Sequence, residues 1–397
     1  MDFENFDLVR TGGIYLSSNP SQASISLNGE FQNNKSGILQ KGTLITNLVP
    51  GEYRVELREE GRFGWIKNLD VVSGEVSVFD TIVLLKNPDP QILKEGLFTN
   101  FDAKGPHLAL EVNGSVQLDG TQVLGHRIIS LTESGTIITK SDQTSNYYLA
   151  SVFNPEEGLN LSLIFNNLKE SRLGLPGVLQ LKRVLPIPNK DKLFVVSTDK
   201  AIYLLDIDRP NIELLTSSYD YFDLQDNGTL VWVDGSTLHS FNFLLRNDSE
   251  VLDLGDKGLV VKKIARINEG WLILEGGVLS IRSGENIIPL GNATDFTISP
   301  SGDKIAVLDG GRNLYVYNPK TKLTFSGLGQ AVENIVWYED EAHIFVLEGG
   351  ALYFRDITKG LPVNSFELDK GVSKLVYRRG ENKVFISKES GIWEIQL

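Results

Sequence analysis

The chain has 397 residues, of which 41% are hydrophobic, so it is long enough for two folded domains. Its formal net charge of −13 argues against nucleic acid or anionic lipid as a partner, because both are bound through clustered lysine and arginine. The chain has no cysteine, which excludes disulfides, thiolate zinc sites and cysteine nucleophiles. No stretch reaches the roughly 18 consecutive apolar residues of a membrane helix, so we expect the chain as given to be soluble.

The chain begins with a predicted lead-in segment, residues 1–11, followed by a predicted β-sandwich over residues 12–87. Apolar and charged residues alternate between Tyr53 and Arg58, which is typical of a strand with one face on a core and the other in water. Asn28-Gly29 is the pair that favours a type I′ hairpin turn. The segment is therefore predicted to be a small all-β domain.

The same segment resembles the PEGA domain family over residues 12–86. The family pattern runs from a glycine and a Pro-x-x-Ala turn to a Leu-x-Pro-Gly-x-Tyr hairpin and a Gly-aromatic-x-Trp closing turn. Two residues of the namesake tetrapeptide, Ser21 and Gln22, depart from the family's name. The resemblance implies a non-catalytic, extracytoplasmic module. The matching residues are Gly13, Pro20, Ala23, Leu48, Pro50, Gly51, Tyr53, Gly61, Phe63 and Trp65.

The order of lead-in, PEGA module and repeats resembles surface proteins of small-genome bacteria, which carry a transmembrane helix just upstream of this region. The resemblance implies a location at the cell surface and a membrane anchor upstream of Met1, absent from this chain. No feature of the residues themselves places the protein outside a membrane. Trp65, in the closing turn, is expected to be structural.

Residues 88–397 are predicted to form a β-propeller, and Asn87–Pro90 is the predicted linker, because two prolines interrupt both helices and strand ladders. The clearest repeat unit, residues 296–322, consists of three alternating strands separated by glycine-containing turns. The unit recurs roughly every 40 residues, which is the period of a four-stranded propeller blade. The third strands of successive repeats are marked by Val116, Tyr148, Ile202, Leu238, Leu279, Leu314, Leu352 and Ile392.

These marks predict eight blades, with seven as the alternative count. The second repeat is longer than its neighbours, and its extra segment, residues 154–177, is predicted to be a surface loop that contacts a partner, an ornamental loop being the alternative. The eighth repeat reaches Leu397 after three strands. Because a ring must cover its strand edges, we expect residues 91–95 to supply the fourth strand.

Several side chains are candidates for binding chemistry. Basic pairs at the first strands of three repeats would place positive charge around a central channel and attract an anionic ligand; the alternative is scattered surface cations. Tryptophans of four repeats are expected to pack between blades, with sugar stacking as the alternative. These residues are Lys182, Arg183, Lys262, Lys263, Arg378 and Arg379, and Trp232, Trp271, Trp337 and Trp393.

The sequence carries no signature of catalysis. It has no nucleophile elbow, no phosphate-binding loop and no dinucleotide-binding glycine pattern. The four histidines lie on different repeats without the spacing of a zinc site, and Asp206 and Asp208 are interpreted as turn caps rather than half of a calcium loop. No catalytic residue, metal ligand or cofactor is predicted, and the binding residues stay unassigned. The histidines are His107, His126, His239 and His343.

The favoured function is a non-catalytic interaction module of the cell envelope, which binds protein or polysaccharide through the propeller. The first alternative is a propeller enzyme, a glycan lyase or glycosidase, which would need an acid, a base and an arginine at one channel mouth. The second is a structural component of the envelope. Converging charged side chains would favour the enzyme, and an exposed patch would favour the binding module.

Overall fold

The computed structural model describes residues 10–37, 41–243, 247–255 and 260–397. Within these ranges the chain is all-β apart from one α-helix, and its strands form one three-stranded and nine four-stranded sheets. The all-β class is thus confirmed. Most of the predicted lead-in segment, residues 1–9, lies outside the described residues. No helix in the described ranges is long and apolar enough to cross a membrane.

The chain divides into two compact units, and both are discontinuous in sequence. The first contains Met1–Gln91, Phe296–Ile386 and Glu394–Leu397. The second contains Ile92–Asp295 and Ser387–Trp393. The predicted domain boundary between residues 87 and 88 stays a prediction.

The N-terminal part of the first unit consists of two facing sheets, with strand orders β4-β1-β7 and β3-β2-β5-β6. The expected hairpin turn is confirmed: Asn28 and Gly29 join β2 to β3 with φ values of 52° and 86°. In β5, Val55 and Leu57 are buried and the charged residues between and beside them face outwards, as predicted. We call this part the sandwich. Its strands are β1 (Gly12–Asn19), β2 (Ser24–Leu27), β3 (Glu30–Gln32), β4 (Thr43–Leu48), β5 (Gly51–Arg58), β6 (Trp65–Val71) and β7 (Val76–Val83).

Eight further four-stranded sheets, the repeat sheets, follow one another along the chain. The first four contain β9 (Asn100–Lys104), β10 (His107–Val112), β11 (Ser115–Leu118) and β12 (Thr121–Val123); β13 (Arg127–Leu131), β14 (Thr136–Lys140), β15 (Tyr147–Ser151) and β16 (Asn154–Asn160); β17 (Arg183–Ile187), β18 (Lys190–Ser197), β19 (Ile202–Asp206) and β20 (Asn211–Thr216); and β21 (Tyr221–Leu224), β22 (Thr229–Asp234), β23 (Thr237–Asn242) and β24 (Asn247–Asp253).

The next three repeat sheets keep the same plan of strands paired in chain order. They contain β25 (Val261–Ile267), β26 (Gly270–Glu275), β27 (Val278–Ser283) and β28 (Asn286–Asn292); β29 (Asp295–Ile298), β30 (Ile305–Leu308), β31 (Leu314–Asn318) and β32 (Leu323–Phe325); and β33 (Val332–Trp337), β34 (His343–Glu348), β35 (Ala351–Asp356) and β36 (Ser365–Lys370).

The eighth repeat sheet takes one strand from far upstream. Its order is β37-β38-β39-β8, where β8 spans Gln91–Glu95. Beyond the end of β8, the amide of Gly96 donates to the carbonyl of Ser390 over 3.2 Å. The prediction that residues 91–95 supply the missing fourth strand is confirmed. The other three strands are β37 (Lys374–Arg378), β38 (Lys383–Lys388) and β39 (Gly391–Gln396).

The predicted repeat register is also confirmed, because every one of the eight marks lies in the third strand of its sheet. Seven of the marks are buried, and Tyr148 is half-buried. In seven of the eight third strands the mark is thus a residue that faces the apolar interior, whereas in β15 the neighbouring Tyr147 and Leu149 do so.

Neighbouring repeat sheets are joined by apolar clusters and by side-chain hydrogen bonds. Trp271 packs in a cluster shared by the fourth and fifth sheets, and Trp337 in one shared by the sixth and seventh, as expected for packing between sheets. Within each unit, the strands of successive repeats are also bonded by a side chain at or near them. The bonded pairs are Glu111 and Ile128, Tyr147 and Lys182, Arg183 and Phe222, Gln225 and Ile264, Lys262 and Thr294, Arg312 and Val332, and Tyr338 and Asn382.

Most of the extra segment of the second repeat is not the predicted loop. Residues 154–173 form strand β16 and helix α1 (Leu161–Leu173), and only residues 174–177 are a loop. The side chain of Asn160 caps the helix start by accepting from the amide of Leu163, and Gly174 ends the helix in the left-handed conformation. Leu161 and Phe165 are buried in a cluster shared by the second and third repeat sheets, with the ring of Phe165 edge-on to Tyr203 at 5.2 Å.

Candidate functional site

The segment after helix α1 presents apolar side chains to solvent. Residues 174–180 are all exposed, and Val178 keeps 88% of its surface. Leu163, on the outer face of the helix, is 58% exposed. Exposed apolar groups that lie close together on a folded protein often mark an interaction site. We call the side chains of Leu163, Leu175, Val178 and Leu179 the insert surface.

A buried lysine holds the backbone of this segment. Lys169 lies on the inner face of helix α1 with no exposed surface. Its Nζ donates to the carbonyl oxygens of Leu175 at 2.8 Å and Gly177 at 2.6 Å, and over 3.4 Å to that of Pro176. Hydrogen bonds from a charged donor are stronger than neutral ones. The ammonium group therefore fixes the first half of the exposed segment to the helix.

An asparagine fixes the second half. The side chain of Asn166 donates to the carbonyl of Leu179 over 3.0 Å and accepts from the amide of the same residue over 2.8 Å. Leu163 lies one helical turn before Asn166, so its side chain is on the neighbouring part of the helix surface. The insert surface is thus a set of aliphatic side chains on a fastened backbone, which can bind a partner with little loss of conformational entropy.

The sequence predicted a partner contact within residues 154–177, whereas the insert surface extends two residues beyond that range, and the helix was not predicted. Asn160 and Gly174 are the residues that favour a helix start and a helix end, and their spacing was the available signal. Two features concealed the helix: it buries a lysine on its inner face and exposes a leucine on its outer face. Its apolar pattern is weakened at both positions.

The basic pairs at the first strands are largely neutralised by neighbouring oxygen atoms. Arg183 of β17 pairs with Asp223 of β21, and Lys263 of β25 pairs with Asp295 of β29, so charges of opposite sign lie on adjacent first strands. Arg379 is exposed. Five of the six basic side chains thus contact an oxygen atom of the protein, which favours the alternative of scattered surface cations over a ring that binds an anion. The remaining contacts are Lys182 with Asp199, Lys262 with the carbonyl of Thr294, and Arg378 with Glu381.

The histidines are distributed over separate sheets. His107 bonds to Asp119 and His343 to Asp340, both over 2.7 Å, while His239 stacks on Trp232. In the part of the chain that the structure describes, no three His, Asp or Glu side chains are grouped so that they could hold a metal ion. Asp206 caps a turn, as interpreted, by accepting from the amides of residues 208 and 209.

A second cluster of polar side chains is buried in the first unit, where the sandwich meets the seventh repeat sheet. We call it the junction. Lys67 of β6 and Asp356 of β35 are both buried, and Nζ of the lysine lies 3.1 Å from Oδ2 of the aspartate. Trp65 donates from Nε1 to the same Oδ2 over 2.7 Å. Trp65 is thus structural, as expected, but its partner is 291 residues away in sequence.

The ionisation of both groups reflects this environment. Burial lowers the pKa of Lys67, and the charge of Asp356 offsets part of that effect. Burial alone would raise the pKa of Asp356, but the charges of His343 and Lys67 and hydrogen bonds from Thr358 bring it below its ordinary value. Nζ of Lys67 also donates to the carbonyl and hydroxyl oxygens of Thr358 over 2.7 and 2.8 Å. Removing one partner of such a pair typically costs about 3–5 kcal/mol, so each of the two side chains can stay buried only while the other is present.

Comparison with known proteins adds little to this description. No protein-family model matches the chain, and no curated protein does. Among solved structures, the chain is similar to one described as KlHsv2 with loop 6CD replaced by a Gly-Ser linker. The similarity covers 69% of this chain and 99% of that one, with 14% identical residues and a TM-score of 0.45.

Proposed function

We propose that the protein is a non-catalytic interaction module of the cell envelope, which binds a protein partner through the insert surface. The observation that carries this proposal is the fastened, exposed apolar segment at residues 174–180. Its backbone is held by Lys169 and Asn166, while Leu175 and Val178 remain in water. Exposing ordered aliphatic side chains to solvent is unfavourable unless a partner covers them.

The chemistry of the insert surface favours protein over polysaccharide or lipid. Its side chains are leucine and valine, which lack the flat aromatic face on which a sugar ring stacks. The exposed charges on β16 and α1 include the carboxylates of Glu156, Glu157 and Glu170, which anionic lipid repels. The net charge of the chain, −13, acts in the same direction. An uncharged apolar groove on another protein is the complementary surface.

We further propose that the eight repeat sheets are the blades of a β-propeller and that residues 12–87 are a PEGA domain. Three observations support the propeller: the sheets follow one another in sequence, each is bonded to the next, and the last is completed by a strand that precedes the first. First strands of adjacent sheets, such as β9 and β13, also lie against one another. The proposed location at the cell surface rests on the PEGA resemblance.

Site-specific photo-crosslinking tests the proposed binding surface. Benzoylphenylalanine is placed at Val178 or, as a control in the same unit, at the exposed Lys200, and adducts from the envelope fraction of cells that make the protein are identified by mass spectrometry. We expect a discrete protein adduct at position 178 that is absent at position 200 and is lost when Leu163→Ser is added. Equal adduct patterns at both positions would contradict the proposal. Turnover of an envelope glycan by the purified protein would favour the enzyme instead.

A further inference from the structure

We infer that the sandwich is clamped rigidly to the seventh repeat sheet within the first compact unit. Both partners belong to the first compact unit. The inference is independent of the proposed binding function. It concerns strand β6 on one side and the connection between β35 and β36, residues 357–364, on the other.

The first part of the clamp is made by backbone groups. The amide of Asn68, in edge strand β6, donates to the carbonyl of Leu361 over 2.6 Å, and the two residues form an isolated antiparallel bridge. The amide of Ile66 donates to Oδ1 of Asn364 over 3.0 Å. The connection thus occupies the outward-facing hydrogen-bonding groups of an edge strand, which would otherwise be open to water or to another chain.

The second part is made by side chains. Asp356 accepts from Trp65 and Lys67 of the sandwich, and both of its oxygens have donors, because Oδ1 accepts from the amide of Thr358 over 2.6 Å. The rings of Phe63 and Phe366 stack with centroids 4.9 Å apart. Separating the sandwich from the sheet would break the Lys67–Asp356 ion pair, the hydrogen bond from Trp65 and the ring stacking together, so the junction cannot open one contact at a time.

Close contact at a glycine provides a specific way to open the clamp. Gly360 has φ of 96°, and a Cβ atom there would lie 2.8 Å from Cδ2 of Leu69 and 3.0 Å from the carbonyl oxygen of Asn68. Gly371 follows the same sheet with φ of 71°, and a Cβ atom there would meet nothing within 4 Å. Gly360→Val and Gly371→Val therefore impose similar backbone strain, but only the first pushes the sandwich away.

Distance measurements by pulsed electron paramagnetic resonance test the inference on the full chain. Spin labels are attached at Glu60→Cys on the sandwich and Lys370→Cys on the seventh sheet, because both sites are exposed and the chain has no native cysteine. We expect one narrow distance distribution in the parent and in Gly371→Val, and a broad one in Gly360→Val. A broad distribution in the parent, or identical narrow distributions in all three proteins, would overturn the inference.

Amide hydrogen exchange gives a second measurement that needs no substitution. A rigid clamp predicts that the amides of Ile66 and Asn68 exchange as slowly as that of Val55 in the sandwich core, because their acceptors lie across the junction. A junction that opens frequently predicts exchange at least about tenfold faster at residues 66 and 68 than at residue 55. That result would overturn the inference even if Gly360→Val failed to fold.

Discussion

Replacing Lys169 by methionine tests how the insert surface is held. Methionine keeps the apolar stem that fills the inner face of helix α1 and removes only the ammonium group. The carbonyl oxygens of Leu175, Pro176 and Gly177 then lose their donor. The helix should stay in place because Leu161 and Phe165 still anchor it in the apolar cluster.

The cost can be worked out from the geometry of the three bonds. The contacts of 2.6 and 2.8 Å are full hydrogen bonds, and that of 3.4 Å contributes little. Each bond to a charged donor contributes about 1.5–3 kcal/mol, so two give about 3–6 kcal/mol. Methionine avoids the cost of burying a charge, and the freed carbonyls can bond to water, so we expect a net loss of about 2–4 kcal/mol in local stability.

Amide exchange at Leu179 measures this loss, because that amide donates to Asn166 within the fastened segment. A loss of about 2–4 kcal/mol corresponds to roughly 30- to 900-fold faster exchange. The amide of Phe165 is the internal reference for the helix, and Lys200→Met, at an exposed lysine of the same unit, is the control. Unchanged exchange at Leu179 in Lys169→Met would show that Asn166 alone holds the segment and would refute the assigned role of the lysine.

Three further predictions concern other parts of the molecule. Phe165→Ala should lower the stability of the second unit by about 3–5 kcal/mol, which would be measured as a lower melting temperature. Phe153→Ala, at a side chain that is 84% exposed, should change the stability by less than about 0.5 kcal/mol. Gly391→Ala should lower the melting temperature by about 2–4 °C for each kcal/mol of stability lost, because its Cβ would collide with the carbonyl of Lys94 in β8. Gly310→Ala, where a Cβ meets nothing, should not lower it, and equal melting curves for the two variants would contradict the prediction. The pKa of the Asp356 carboxyl is lower in the folded protein than in the unfolded chain, so the stabilisation by the ionised carboxylate is present at neutral pH and is lost as the pH falls below about 4. Exchange at the Ile66 amide, corrected for intrinsic rates, should therefore become faster below that pH in the unsubstituted protein. Asp356→Asn should remove this pH dependence.

The repeat architecture could be derived from the sequence because it depends on local patterns. Each third-strand mark, such as Ile202 or Leu314, is an apolar residue that follows a turn and begins an alternating strand. The completion of the eighth repeat sheet by residues 91–95 could also be predicted, because three strands were counted where four were needed and one unassigned β-prone segment preceded the first repeat. Both predictions depend only on local turn and strand patterns and on the number of strands counted in each repeat.

The tertiary structure alone decided the partners of the buried charges. Lys67 looks like any lysine of an alternating strand, and Lys169 like a polar residue on a helix surface, yet both are fully buried. Their acceptors are Asp356, hundreds of residues away, and carbonyl groups whose direction depends on the backbone after the helix. Sequence patterns report how often a residue type is buried. Whether a particular charge can be buried depends on the oxygen atoms that surround it, and only the folded chain brings those atoms together.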